Sequence, residues 1–338
     1  MRAVLFASLV VIVACSCAFA TPAEELKAAI ESEDYATVLR LATPLAEQGN
    51  APAQNYVGWI YQKGKSVPVN YEEALRWYRL AAEQGNSEAQ YNLGMMYERG
   101  EGVPLDQSEA ISWYRLAAEQ EDPDAQYKLG VIYSEVGGTH TDYEEAVKWF
   151  RMAAEQGLAS AQNNLGVMYD NGYGVPQDHA EAVKWYKLAG AQGIASSQFN
   201  LGAIYDYGKG VSVNKAEAIK WYRLAGEQGH IDAQYNLGVI YDNGSGVFDN
   251  KEEAVKWYRM AGEQGHTDSQ YNLGVIFING VGISQNYQNA FVWFSLAALQ
   301  GDEKAAEGRD IAASNMTLAQ VNEALDMIRW IKKGYDAE

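Results

Sequence analysis

Asn86-Ser87-Glu88-Ala89-Gln90-Tyr91-Asn92-Leu93-Gly94-Met95-Met96-Tyr97-Glu98-Arg99-Gly100-Glu101-Gly102-Val103-Pro104 is the stretch that decides the fold. Ala89, Leu93, Met96 and Tyr97 fall at i, i+4, i+7 and i+8, the spacing of one helix face. Gly100 and Gly102 permit a tight connection, and Pro104 stops the helix from continuing. Asp106 then stands three residues before Glu109, the sequence signature of a capping box at a second helix start. Ala110, Trp113, Tyr114 and Ala117 supply the buried stripe of that second helix. The unit is therefore an antiparallel helix pair.

The unit recurs without slippage. Trp77, Trp113, Trp149, Trp185, Trp221, Trp257 and Trp293 are each 36 residues apart, as are Gly58, Gly94, Gly130, Gly166, Gly202, Gly238 and Gly274. Gln54 to Gln270 keep the same register, and Asn70, Asp142, Asp178, Asn214, Asn250 and Asn286 repeat the cap of Asp106. Gly closes the second helix at Gly85, Gly157, Gly193, Gly229, Gly265 and Gly301, with Glu121 in that place once. A short period of this kind describes stacked units, none of which buries its apolar face alone. The recurring Gly and Trp are expected to hold copies together. A Gly inside a helix costs about 1 kcal/mol relative to Ala, so its recurrence points to the close approach of a second helix.

The string L-G-x-x-Y, G-x-G-V-P, A-x-x-W-Y-x-x-A and E-Q-G resembles the Sel-one-like repeat (SLR), a relative of the tetratricopeptide repeat. Leu93 to Tyr97, Gly100 to Pro104, Ala110 to Ala117 and Glu83-Gln84-Gly85 carry the likeness, and similar strings fill residues 50–301. The expected fold is all-α, a right-handed α/α solenoid of antiparallel helix pairs. Its organisation would be a signal peptide over 1–20, a degenerate helix-pair cap over 21–49, seven repeats over 50–301 and capping helices over 302–338. The charges of the last pair would cover the open end of the core. In copy three, Val136 to His140 replace G-x-G-V-P and would reshape the loop, while Ser212 and Phe248 stand where Pro is usual.

The leader differs in kind from the repeats. Arg2 precedes an uncharged apolar run from Ala3 to Ala14, and Ala18-Phe19-Ala20 supplies small residues for cleavage before Thr21. Ile12-Val13-Ala14-Cys15 also fits a lipobox, which would tether the protein to a membrane through Cys15. Both cysteines, Cys15 and Cys17, lie here, so cleavage after Ala20 leaves no thiol for a disulfide, metal or nucleophile. The net charge of −18 is spread along the chain and disfavours nucleic acid as a partner.

Function is expected in what varies. On the first helix of each copy, the positions of Tyr91, Met95 and Glu98 point away from the Ala89 side, and three columns stand out there or, for Asn92, beside it. One is aromatic, with Tyr91, Tyr127, Phe199, Tyr235 and Tyr271; a second carries Glu98, Asp170, Asp206 and Asp242; a third runs through Asn92, Asn164, Asn200, Asn236 and Asn272. In helix-pair solenoids the first helices line the concave surface. These columns either form a groove for a basic or extended polypeptide, or the aromatic rings pack sideways between copies. The acids and amides are expected to be exposed. The second helices carry Arg76, Lys148, Lys184, Lys220 and Lys256 with acids one turn away, which suits a solvated face. The four histidines form no metal spacing and no nucleophile motif appears, so neither metal nor cofactor is expected. The resemblance implies an exported, non-enzymatic scaffold, periplasmic or secreted. The alternative is an envelope enzyme or ligand binder acting on cell-wall material, after a cysteine-rich, β-lactam-hydrolysing branch of the family.

Overall fold

The computed structural model describes residues 22–135 and 142–335. The leader, with Cys15 and Ala20, the loop at Val136 to His140 and the last three residues lie outside them. Two compact units divide the chain, one ending at Ala161 and the other beginning at Gln162. The described residues form eighteen helices and no strand.

The first unit holds α1 (Pro22–Glu31), α2 (Tyr35–Glu47), α3 (Ala51–Lys63), α4 (Tyr71–Glu83), α5 (Ser87–Arg99), α6 (Gln107–Glu119), α7 (Pro123–Ser134), α8 (Tyr143–Glu155) and the start of α9 (Ala159–Asn171). The second holds the rest of α9, then α10 (His179–Ala191), α11 (Ala195–Tyr207), α12 (Lys215–Glu227), α13 (Ile231–Asn243), α14 (Lys251–Gly262), α15 (Thr267–Asn279), α16 (Tyr287–Leu299), α17 (Glu303–Ser314) and α18 (Leu318–Tyr335). From α3 to α16 odd-numbered helices are the first, even-numbered the second, of each pair. Within each unit, consecutive helices such as α3 to α8 and α10 to α17 pack on one another, as a helical-pair array requires.

Local chemistry sets the helix ends. Gly100 closes α5 in the left-handed region at φ 67°, and Asp106 opens α6 by accepting from the Glu109 amide at 3.0 Å. The six equivalent Asn and Asp caps make the same bond. The reciprocal half of the expected capping box is displaced. The Asp106 amide donates to the Tyr97 carbonyl at the end of α5, so Glu109 takes the Trp113 indole N–H at 3.2 Å. Glu145 and Glu253 hold Trp149 and Trp257 in the same way.

Three contacts hold the pairs together. The first is at the recurring Gly of the first helix, where the second helix's aromatic ring lies so close that a Cβ on Gly94 would sit 2.8 Å from Tyr114. Tyr78, Tyr114, Tyr186, Tyr222 and Tyr258 are accordingly among the largest fully buried side chains. The second is the Trp column. Trp257 packs over Gly226, beside Leu237, on the preceding second helix, and Trp221 stands over Gly190 likewise. Trp113, Trp185 and Trp221 keep one edge in solvent, while Trp149 and Trp257 are buried.

The third is a glutamine relay. Gln234 is 1% exposed and donates to the Gly226 carbonyl at the end of the preceding second helix, at 2.8 Å. Its own carbonyl accepts from Gln264 at 2.8 Å. Gln54 with Gln84, Gln90 with Gln120, Gln126 with Gln156, Gln198 with Gln228 and Gln270 with Gln300 repeat the pattern. Helix carbonyls that would otherwise be buried without partners are thus satisfied.

At the C-terminal end the cover is apolar rather than charged. Ala305, Ala312, Ala324, Ile328 and Ile331 join the core of α16, while Leu318 and Trp330 remain 77% and 73% exposed. Among the described residues no helix is long and apolar enough to cross a membrane.

Candidate functional site on the first helices

The aromatic column is half-buried, and its rings pack both within their own repeat and against the next. Tyr91 packs on Tyr114 with ring centroids 5.6 Å apart, and Tyr127 on Phe150 at 5.9 Å. Phe199, Tyr235 and Tyr271 pack on Tyr222, Tyr258 and Phe294 in the same way. Each ring therefore leans on the second helix of its own repeat. In the second unit the other side is taken by the start of the next repeat. His230 stacks on Phe199 at 4.5 Å and 15°, and His266 meets Tyr235 at 4.6 Å. Each ring of the column is left half-buried. Burial, with Asp124 and Asp122 behind it, pushes the Tyr91 phenol up to about 12.

The acidic column is half-buried and ion-paired rather than free. Asp206 pairs with Lys215 at 2.5 Å, Asp242 with Lys251 at 2.6 Å and Asp170 with His179 Nδ1 at 2.7 Å. Each partner lies nine residues on, at the first position of the following second helix. Glu98 accepts from the Tyr114 phenol at 2.8 Å and pairs with Lys128 of the next repeat at 3.1 Å. The His179–Asp170 pair occupies the same place as two Lys–Asp pairs, which marks it as a loop tie rather than a catalytic dyad.

The amide column is largely spent inside the array. Asn92 is buried and donates to Asn55 at 3.0 Å, and Asn55 donates to Glu88. Burial first, then Asp122, raises Glu88 above the ordinary carboxylate range. Asn200 lies close enough to the Tyr186 phenol of the preceding repeat to influence its titration, while Asn236 is half-buried beside Tyr235.

Tyr207 was not singled out in sequence and is the most open aromatic of this face, at 67% exposure. Burial and then Asp268 raise the Tyr235 phenol, and Tyr207 adds to that shift. On the second helices the cations are occupied as expected: Arg76 pairs with Glu73, Lys184 with Glu181, and Arg223 donates to the Tyr241 phenol. No group of three His, Cys, Asp or Glu suited to a metal occurs among the described residues.

The Sel1 repeat model matches residues 51–86, 87–122, 123–158, 159–194, 195–230, 231–266 and 267–302. The chain belongs to the Sel1 repeat family. A protective antigen of uropathogenic Escherichia coli displaying an SLR fold is 31% identical, with a TM-score of 0.76 over 94% of this chain and 69% of that one. A Sel1 repeat protein from Oxalobacter formigenes is 32% identical, with a TM-score of 0.66 over 85% of this chain and 83% of its own. No curated protein matches the sequence. Sel1 repeat arrays are scaffolds typical of protein–protein interaction and generally non-enzymatic. The glycines and glutamines above are what each repeat contributes to that scaffold.

Proposed function

We propose that this chain is an exported, non-enzymatic scaffold that holds an extended polypeptide across the first helices of its second unit. The observation that carries the reading is the row of half-buried rings, Phe199, Tyr235 and Tyr271, with Tyr207 standing open beside them. Successive helix pairs are spaced by about 10 Å. Three residues of extended chain in the polyproline-II conformation rise about 9 Å and return to the same side, so every third side chain of the ligand meets an equivalent half-buried ring. Because Asp170, Asp206 and Asp242 have cationic partners of their own, recognition rests on apolar and amide contacts more than on a basic ligand.

Export is supported by the leader, Met1 to Ala20. The likeness to a protein described as a protective antigen agrees with a place outside the cytoplasm. Two measurements test the reading. A photo-cross-linking residue in place of Tyr235 or Tyr271 should capture a polypeptide in the cell envelope, and recovered protein should begin at Thr21. No capture from either position would remove the first-helix assignment. A lipid-bearing N-terminus at Cys15 would make the protein a tethered lipoprotein.

A further inference from the structure

The outer side of the second helices shows a change of chemistry at the last repeat. In the second unit, successive second helices place Lys184, Lys220 and Lys256 in one column and Lys187, Arg223 and Arg259 in another. The adjacent column is Leu188, Leu224 and Met260, with Leu188 50% and Leu224 38% exposed. The last second helix, α16, has Val292, Ser295 and Leu296 at these three positions, all buried. Their cover is the chain's own α18, whose Ala324, Ile328 and Ile331 join the same core.

α18 does not stop at α16. Met327 and Trp330 line a groove of about 350 Å³ with Arg259 and Glu263 of the neighbouring repeat. Gly334 lines a second groove of about 490 Å³ with Met260, Gln264 and, one repeat further back, Glu227. The helix thus runs across the second helices in the direction of the Leu224 and Leu188 column. Its last turn carries Lys332 and Lys333, next to a groove whose charged walls are Glu227 and Glu263. Seven residues of α-helix rise about 10.5 Å, close to the spacing of packed helix pairs. A helix lying this way meets one leucine or methionine of the array every two turns.

We propose that the outer side of the second helices in the second unit, from Trp330 past Met260 to Leu224 and Leu188, is a docking surface for a partner's amphipathic helix laid in line with α18. The occupant has aliphatic residues at i and i+7 and a basic edge toward Glu227 and Glu263. Two features carry the inference: continuity with the α16–α18 interface and the match between the acidic groove and the basic end of the chain's own docked helix. The surface is separate from the first-helix face, so either assignment stands or falls alone.

A fluorescein-labelled synthetic peptide with the sequence of Leu318–Tyr335 is the probe, added to the full chain and followed by fluorescence anisotropy. Saturable binding is expected, weakened at least tenfold by Leu224→Glu with Met260→Glu and unchanged by Tyr235→Ala. Glu227→Lys with Glu263→Lys should also weaken it, and adds no charge to an apolar position. Circular-dichroism melts identify any variant that has lost its fold. Absence of binding overturns the proposal. So does binding that both double variants retain, because the peptide would then be exchanging with α18 on α16. A dimer in sedimentation that Leu224→Glu with Met260→Glu dissolves would assign the surface to a second copy and overturn it as well.

Discussion

At the scale of single residues, the array depends on positions where nothing larger than hydrogen fits. A Cβ on Gly166 would lie 2.7 Å from Cδ1 and Cε1 of Tyr186, a fully buried ring with no room to withdraw. Alanine there gains about 1 kcal/mol of helix propensity, yet crowding a packed core costs about 1–3 kcal/mol. Gly166→Leu is therefore expected to destabilise the protein by at least that upper amount, and Gly166→Ala by less, in urea denaturation. Combining Gly166→Ala with Tyr186→Leu should cost less than the sum of the two, since the smaller side chain removes the clash. Strict additivity would show that the two residues are not in contact. The opposite case is Glu121, which takes the glycine position after α6 with φ 66° and is exposed. A left-handed conformation costs an L-residue about 1–2 kcal/mol. Glu121→Gly should recover on the order of 1 kcal/mol, read as a higher urea midpoint at constant slope.

At the scale of elements, the starts of the first helices differ in how they respond to pH. Asn50, Asn86 and Asp122 cap α3, α5 and α7 with side-chain oxygens, whereas His230 and His266 cap α13 and α15 through Nδ1, accepting from Ala233 at 3.4 Å and Ser269 at 3.1 Å. An Nδ1 that accepts carries no proton, so each cap exists only in the neutral ring. Burial lowers the His230 pKa below its ordinary value; Asp232 on the same helix opposes this, and the ring stacked on it, Phe199 of α11, does not titrate. A folded-state pKa below the unfolded value means that the unfolded chain binds more protons. Stability from this group is present above about pH 6.5 and is lost as pH falls through that value toward the folded-state pKa. Loss of an N-cap costs about 0.5–2 kcal/mol. Hydrogen exchange should show the amides at the start of α13 opening between pH 7 and pH 5 while those of α5 do not, and His230→Asn should flatten the response. Equal opening in the variant would assign it to another group. Most of this layer was legible in the sequence: the Gly100 and Asp106 punctuation places the turn between the two helices of each pair from α3 to α16, except that α7 ends at Glu135 without a glycine. The aromatic over each glycine and the partner of each acid were not, because the ring comes from the other helix and Asp206 meets Lys215 nine residues away across a loop. A signal was present, since Asp170, Asp206 and Asp242 are each followed nine residues on by His or Lys, but spacing along a single helix does not reveal it. The Gln54 column was visible as a period, and only geometry assigns the NH2 and the C=O of each side-chain amide to two different repeats.

At the scale of the whole molecule, an array of this kind has to be closed at its ends, because each pair leaves its apolar face to the next. The sequence shows that the last repeat is followed by helices; it does not show that α16 has been rewritten to receive α18. Val292, Ser295 and Leu296 are 1%, 7% and 3% exposed only because Ala324, Ile328 and Ile331 lie nearby in the same core. A chain ending at Asn315 would turn this patch to solvent, where exposed apolar clusters drive association. That truncated protein is expected to unfold at lower urea and to elute from a sizing column as a concentration-dependent oligomer. Val292→Lys with Ser295→Arg restores on α16 the cations that Lys256 and Arg259 place on α14. In the truncated protein these two changes should return much of the monomer, while in the full chain they should destabilise by burying two charges beneath α18. If the truncated protein is monomeric and as stable as the full chain, α18 is an appendage and the array closes at α17. If the two cations rescue neither property, the exposed face responsible for association lies elsewhere than on α16.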